Sequence, residues 1–163
     1  MMKKRWLALY VENNVGVLAK ISGLFAGKNY NLDSLTVGTT NDASVSRMTI
    51  GLTGSDTMFE QIKKQLNRCL GIIKVVDLTD GNIEINELLF IKIPGCTARQ
   101  RTEIFQIAKV FQAEVCDCGL HDILLRLCAS CRKNDELVLL LGQYKNIEIV
   151  RSGAVAIERC MKS

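Results

Sequence analysis

The feature that most constrains the fold is a pattern of hydrophobic periodicity that occurs twice along the chain. Segments in which apolar and polar residues alternate indicate strands, and segments in which apolar residues recur every three or four positions indicate helices. In the first half of the 163 residues these segments follow one another in the order β-α-β-β-α-β. The second half repeats that order, so the sequence predicts two domains with the same topology.

Each copy of the pattern has four strands and two helices. In the first copy we predict strands at 5–12, 31–39, 46–52 and 72–78, and helical stripes at 17–25 and 59–69. In the second copy we predict strands at 87–93, 113–118, 123–128 and 147–150 (extending toward 156), and helical stripes at 104–111 and 137–144. This order is that of the ferredoxin-like fold, in which helices cover one face of an antiparallel sheet. We therefore predict an α+β protein with two ferredoxin-like domains, residues 1–79 and 80–163.

One face of the first predicted strand is too apolar to be exposed to solvent. Its core-facing side is apolar, and the opposite side carries Trp6, Ala8 and Tyr10. A sheet with helices on one side only should present polar residues on the other. We therefore expect protein to cover this face, either the second domain or a second copy of the chain.

Composition and charge exclude several classes of function. The net charge is only +4, and the one dense basic cluster is Lys3–Arg5, whereas nucleic-acid-binding proteins usually concentrate positive charge on one surface. No segment approaches the ~20 apolar residues that span a bilayer, and the apolar run at 6–11 is too short for a secretory signal. We expect a cytoplasmic protein that binds neither nucleic acid nor membrane. The sequence shows no glycine-rich phosphate loop, paired carboxylates or nucleophile motif, so we predict no catalytic residues.

The seven cysteines raise the question of a metal or redox site. Four of them surround the single histidine, His121: Cys116, Cys118, Cys128 and Cys131. A tight hairpin here would pair Cys118 with Ile123 and Cys116 with Leu125, leaving Cys116 and Cys128 on the order of 10 Å apart along the ladder. Four sulfurs so arranged do not reach one zinc ion, so we predict structural thiols and no metal site. A metal or thiol protein is kept as a further hypothesis, for which zinc that survives dialysis would be the evidence.

The loop between the first strand and the first helix, Glu12–Leu18 (ENNVGVL), is the most informative segment for function. A helix N-terminus presents unpaired N–H groups and a partial positive charge, which suit a carboxylate. Gly16 leaves room for such a group, and Asn13 offers a donor and an acceptor to a zwitterion. Taken alone, the pattern favours a simpler interpretation, in which an Asn caps the helix and a Gly ends the strand.

Longer blocks of sequence around this loop resemble a known family. The specific blocks are Val11–Leu18 (VENNVGVL), Gly27–Gly38 (GKNYNLDSLTVG) and Ser46–Ile50 (SRMTI). Looser blocks follow at Lys74–Leu78, Glu87–Ile93, Phe111–Val115 and Val150–Ala156. In this order, over nearly the whole chain, they resemble the small regulatory subunit of acetolactate synthase (acetohydroxyacid synthase), an enzyme of branched-chain amino-acid biosynthesis. The resemblance implies an N-terminal ACT domain, which is a ferredoxin-like amino-acid sensor, and an ACT-like C-terminal domain.

The resemblance also implies a role and a set of effector-binding residues. The chain would be a non-catalytic subunit that activates a separate catalytic subunit and confers feedback inhibition by valine. Two chains would form a homodimer through their N-terminal ACT sheets, with valine between them. Carried over by position, the effector-binding residues are Asn13, Asn14, Val15, Gly16, Val17, Leu18, Asn31, Leu32, Thr36 and Gly38, of which Asn31 would come from the other protomer.

The cofactors that the resemblance implies belong to the catalytic partner. Thiamine diphosphate, Mg²⁺ and FAD are expected there, and no cofactor is expected on this chain. An alternative function for the chain is a stand-alone tandem ACT sensor that binds an amino acid without a synthase partner. Tight binding to a thiamine-dependent synthase would separate the two hypotheses.

Overall fold

The computed structural model describes residues 2–27 and 30–160. By the proximity of Cα atoms the chain divides into two compact units. Among the described residues, unit 1 runs to Glu84 and also includes residues 154–160, and unit 2 is Ile85–Gly153. The predicted boundary between residues 79 and 80 stays a prediction. The repeat pattern did not predict that residues 154–160 belong to unit 1.

Unit 1 is built on a four-stranded antiparallel sheet. Its elements are β1 (Lys3–Glu12), α1 (Val17–Ala26), β2 (Leu32–Thr39), β3 (Val45–Gly54), α2 (Asp56–Leu66) and β4 (Ile72–Asp77). The strand order is β2-β3-β1-β4, so β1 is a central strand that pairs with both β3 and β4. The two outer strands are β4 and β2, and β2 pairs with β3 alone in this sheet.

The two helices of unit 1 pack on one face of this sheet. Alternation along β1 and β3 turns every second side chain toward them, and the helical stripes supply the other half of the core. The buried residues of this core are Leu7, Leu9, Val11, Val17, Ile21, Phe25, Met48, Ile50, Leu52, Phe59, Ile62 and Leu66. Ser55 caps α2 by accepting a hydrogen bond from the Met58 N–H at 3.3 Å. Cys69, which the sequence assigned to the stripe of this helix, lies beyond its last residue.

Unit 2 has the same arrangement with its own core. The second sheet is formed by β5 (Ile83–Ile93), β6 (Glu114–Cys118), β7 (Ile123–Ala129) and β8 (Glu148–Glu158), in the order β6-β7-β5-β8. The first two residues of β5 and the end of β8 from Ala154 belong to unit 1. The helices of unit 2 are α3 (Ala98–Phe111) and α4 (Cys131–Leu141). The buried core includes Leu89, Ile91, Ile93, Ile104, Ile123, Leu125, Leu127, Leu137 and Leu141. The predicted fold class, two ferredoxin-like α+β units, is confirmed.

The hairpin formed by β6 and β7 differs in register from the prediction. Cys118 pairs with Ile123 as expected, but Leu125 pairs with Val115 instead of Cys116. The reason is an irregularity between Val115 and Asp117, a β-bulge that leaves Cys116 out of the ladder. Within the described residues no group of three or more His, Cys, Asp or Glu side chains is placed to hold a metal ion.

The face of the first sheet opposite the helices is the apolar face noted in the sequence, and we call it the open face. Ala8 on this face is 1% exposed, and Trp6 and Tyr10 are half-buried. Ala154 and Ala156, which belong to β8 and to unit 1, accept hydrogen bonds from residues of this face through their carbonyl oxygens. Part of the expected cover is therefore the C-terminal strand of the chain. None of the helices in the described ranges is long and apolar enough to cross a membrane.

Candidate functional site

Six of the ten predicted effector-binding residues form one continuous segment, of which four lie in the loop before α1 and the last two, Val17 and Leu18, begin the helix. Asn13 and Asn14 follow β1, and Gly16 occupies the N-cap position of α1 with a φ of 88°. Val17 is buried in the core and anchors the loop, whereas Val15 is fully exposed and Leu18 is 45% exposed. The loop thus presents two apolar side chains to solvent beside the end of a helix.

Asn13 fixes this loop to the turn between β2 and β3. Its backbone N–H donates to the Ser44 carbonyl oxygen at 2.7 Å, and its Nδ2 donates to the Ala43 carbonyl oxygen at 3.0 Å. Its Oδ1 accepts a hydrogen bond from Ser46 Oγ at 3.1 Å. A side-chain amide has two N–H donors and an oxygen that accepts twice. Asn13 therefore retains one donor and one acceptor position for a ligand while holding the loop in place.

The turn that holds Asn13 has its own network of hydrogen bonds. The carboxylate of Asp42 accepts from Ser44 Oγ at 2.7 Å and from the Ser44 N–H at 2.9 Å. These two bonds stabilise the charged form, so they lower the pKa of Asp42 below its ordinary value. Thr40 Oγ1 accepts the Asp42 N–H at 3.1 Å, which closes the turn. Asn13 is thus attached to a locally ordered support.

The N-terminus of α1 has Gly16 at its N-cap position. In the described part of the chain no side chain caps it and its first turn has no acidic residue. The expected Asn cap is wrong, because Gly16 takes the cap position and the Asn14 side chain donates instead to the Glu12 carboxylate at 3.1 Å. A Cβ placed on Gly16 would meet no atom within 4 Å. The Val17 N–H donates to the Asn14 carbonyl oxygen at 3.3 Å. The N–H groups that remain at an uncapped helix N-terminus suit a carboxylate.

The predicted residues on β2 lie at both ends of that strand. Gly38 pairs with Arg47 and is therefore close to Ser46, the partner of Asn13. Leu32 pairs with Leu52, six residues further along β3, which corresponds to roughly 20 Å at ~3.3 Å per residue. Asn31 precedes Leu32 and is exposed. A single chain therefore brings Gly38 near the loop and keeps Asn31 and Leu32 far from it.

Thr36, in the middle of β2, has a partner that the sequence did not predict. Its hydroxyl donates to the carbonyl oxygen of Ala154 at 2.8 Å, while the neighbouring Ser34 Oγ accepts the Ala154 N–H at 2.8 Å. Neither Ser34 nor Ser46 was singled out in the sequence. For Ser46 there was a signal, since it is a polar residue at a core-facing position of β3 and is 6% exposed. For Ser34 there was none.

Comparison with known proteins covers both halves of the chain. Residues 7–74 match the family model described as the AHAS small subunit-like ACT domain. Residues 86–160 match the family model described as the small subunit of acetolactate synthase. The acetolactate synthase small subunit of Bacillus subtilis is 39% identical over 96% of this chain and 91% of its own length. The chain belongs to the acetolactate synthase small subunit family.

Other members of the family support the same assignment. The acetolactate synthase small subunit of Aquifex aeolicus is 36% identical over 98% of this chain and 83% of its own length. The crystal structure of the acetolactate synthase small subunit from Thermotoga maritima superimposes with a TM-score of 0.88 at 29% identity, covering 98% of this chain and 99% of that one. This small subunit is therefore a regulatory, non-catalytic chain with an ACT domain in its N-terminal half.

Proposed function

We propose that this small subunit activates the catalytic subunit of acetolactate synthase and makes it sensitive to inhibition by valine. The observation that carries the proposal is the open N-terminus of α1 at Gly16, beside the amide of Asn13. The helix end suits the effector's carboxylate, and the amide suits its polar backbone-like atoms. The exposed side chains of Val15 and Leu18 offer apolar contact to a small aliphatic side chain.

The site is completed by a second copy of the chain in this proposal. Asn31 and Leu32 lie roughly 20 Å from the loop of their own chain, so they serve the loop of a partner protomer. The outer strand β2 is the edge through which two such sheets would associate. A ligand shared by two protomers favours the arrangement that binds it, and this is how valine would shift the population of states.

Catalysis and cofactors are assigned to the partner. Thiamine diphosphate, Mg²⁺ and FAD bind the catalytic subunit in this proposal, and the small subunit changes its activity through contact alone. We further propose that activation and inhibition are separate effects and that the catalytic subunit binds a surface other than the valine site.

Calorimetric titration of the purified chain tests the valine site. We expect saturable binding near one valine per protomer and no binding of lysine, whose charged side chain does not suit apolar contacts. Asn13→Ala should weaken valine binding by about tenfold or more, since it removes a ligand group and two bonds that hold the loop. The control is Asn41→Ala, which removes an exposed Asn from the nearby turn. Wild-type protein that binds no valine, alone or with its catalytic subunit, would overturn the proposal.

Reconstitution with the catalytic subunit tests the rest. Addition of the small subunit to the cofactor-loaded catalytic subunit should raise acetolactate formation, and valine should then reduce it. An unchanged rate on mixing would contradict activation, and a rate raised but insensitive to valine would contradict the effector.

A further inference from the structure

Three side chains of the open face hold the end of strand β8, Ala154–Glu158, which we call the C-terminal segment. Ser34 and Thr36 bind the N–H and the carbonyl oxygen of Ala154, both at 2.8 Å. Arg47 donates from its guanidinium group to the carbonyl oxygen of Ala156 at 2.6 Å. Because the donor is charged, this last bond is of the stronger kind.

These three hydrogen bonds are partly buried. Ala154 and Ala156 are at most 1% exposed, while Val155 and Ile157 point outward and are more than half exposed. On the sheet below, Ala8 is 1% and Thr49 2% exposed. The Arg47 side chain also lies over the ring of Tyr10, at 5.6 Å from its centre. The C-terminal segment therefore contacts the sheet through alternate residues, Ala154 and Ala156.

The attachment is made by side chains, and this distinguishes it from the pairing of a fifth strand. Ser34 and Thr36 are two positions apart on β2, so their side chains point to the same face. Their two hydroxyl groups therefore both bind the backbone of Ala154. Their loss would leave the backbone groups of Ala154 buried without partners. The hold on the segment thus depends on the position of β2.

The strand β2 is also the strand of the proposed effector site. Asn31 and Leu32 stand at its start, Gly38 near its end, and Thr36 belongs to both the effector set and the hold on Ala154. As an outer strand, β2 pairs on one side only within its own sheet. A ligand that orders such a strand also orders the groups that it holds.

We propose that Ser34, Thr36 and Arg47 form a clasp that couples the effector site to the C-terminal segment. Valine, by ordering β2, tightens the clasp on the C-terminal segment. Ser34 and Arg47 act in this as positioning residues that do not touch the effector. The inference rests on the proposed valine site and adds to it the route by which binding is transmitted.

Hydrogen exchange measured by mass spectrometry on the full chain tests the clasp itself. Ser34→Ala removes the acceptor of the Ala154 N–H, and Arg47→Met removes the bond to Ala156 while keeping an apolar side chain over Tyr10. Each should speed exchange in the C-terminal segment by about tenfold or more. Thr53→Val is the control, because it removes an exposed hydroxyl of the same sheet that bonds to Asp33. Unchanged exchange in Ser34→Ala would overturn the clasp.

The coupling is tested by adding valine in the same experiment and in assays of the reconstituted enzyme. In wild type, valine should slow exchange in the C-terminal segment, and in Ser34→Ala it should not. The valine concentration for half-maximal inhibition should rise by about fivefold or more in Ser34→Ala and Arg47→Met, and calorimetry should show a weaker affinity as well, because the coupling between the two sites is reciprocal. Equal inhibition in wild type and both variants would overturn the coupling. Wild-type protein that binds no valine would instead overturn the proposed function, and faster exchange in Ser34→Ala would then show a clasp with no effector.

Discussion

The indole ring of Trp6 lies directly over Gly51, its partner across β1 and β3, so that a Cβ on Gly51 would come within 2.5 Å of Trp6 Cζ3. The indole ring can occupy this position only because residue 51 has no side chain. Trp6 is also the single tryptophan of the chain. Its fluorescence reports on this face and on nothing else.

Gly51→Ala should displace the indole ring toward solvent. We expect a red shift of the emission and a free energy of unfolding that is lower by about 1–3 kcal/mol, since the new methyl group overpacks the contact. Fluorescence spectra and urea denaturation measure the two effects. Gly38→Ala is the matched control on the same sheet, because a Cβ there meets no atom within 4 Å. An unshifted emission spectrum in Gly51→Ala would show that the ring does not rest on Gly51.

Asp77→Asn should remove a pH-dependent part of the stability. Burial acts to raise the pKa of Asp77, but Lys63 Nζ at 2.9 Å and the Thr79 N–H at 3.0 Å outweigh it and hold that pKa below its ordinary value. Stabilisation of this kind is present above the unfolded pKa of ~3.9 and disappears as pH falls through the lower folded value. We expect a loss of less than about 1 kcal/mol at pH 7, because the pair is partly exposed. Urea denaturation from neutral pH to about pH 3 should show wild type and variant converging, whereas Asp80→Asn, which alters an exposed contact, should match wild type throughout.

The topology could be predicted from the sequence because periodicity records which side of each element is buried. The alternation of Leu7, Leu9 and Val11 and the stripe of Ile21 and Phe25 each report contact with one core. That information is local, and the same β-α-β-β-α-β order in each half of the chain was enough to predict the topology of both units. Family resemblance then indicated the loop that ends in Gly16, although the cap residue expected there was wrong.

Contacts between distant polar groups could not be predicted in this way. Ser34 and Thr36 bind Ala154 across separations of 120 and 118 residues, and no spacing in the sequence encodes such a pair. The bulge at Cys116 was missed for a related reason, since periodicity assumes a regular ladder and a single extra residue changes every later pairing.

Thr97→Ala should destabilise unit 2 through the start of α3. Thr97 Oγ1 accepts the Gln100 N–H at 3.3 Å, and the Gln100 side chain accepts the Thr97 N–H at 2.9 Å, which together form a capping box. We expect the free energy of unfolding to fall by about 1 kcal/mol. Urea denaturation followed by circular dichroism measures it. The control is Thr102→Ala in the same helix, where the hydroxyl only bonds to the Ala98 carbonyl oxygen one turn earlier and where Ala favours the helix; equal losses in the two variants would contradict a role for the cap.

Gly16→Asp should abolish inhibition by valine and preserve activation of the catalytic subunit. The substitution puts a carboxylate at the open end of α1, where the effector's own carboxylate would bind, and the two negative charges repel each other. Gly16→Asn is the matched control, because Asn has nearly the same shape, tolerates the left-handed φ of 88° about as well as Asp, and has no charge. Assays of the reconstituted enzyme over a range of valine concentrations should therefore show a weaker defect in Gly16→Asn than in Gly16→Asp. Full valine sensitivity in Gly16→Asp would place the effector elsewhere, and equal defects in both variants would assign the effect to backbone strain or bulk instead of charge.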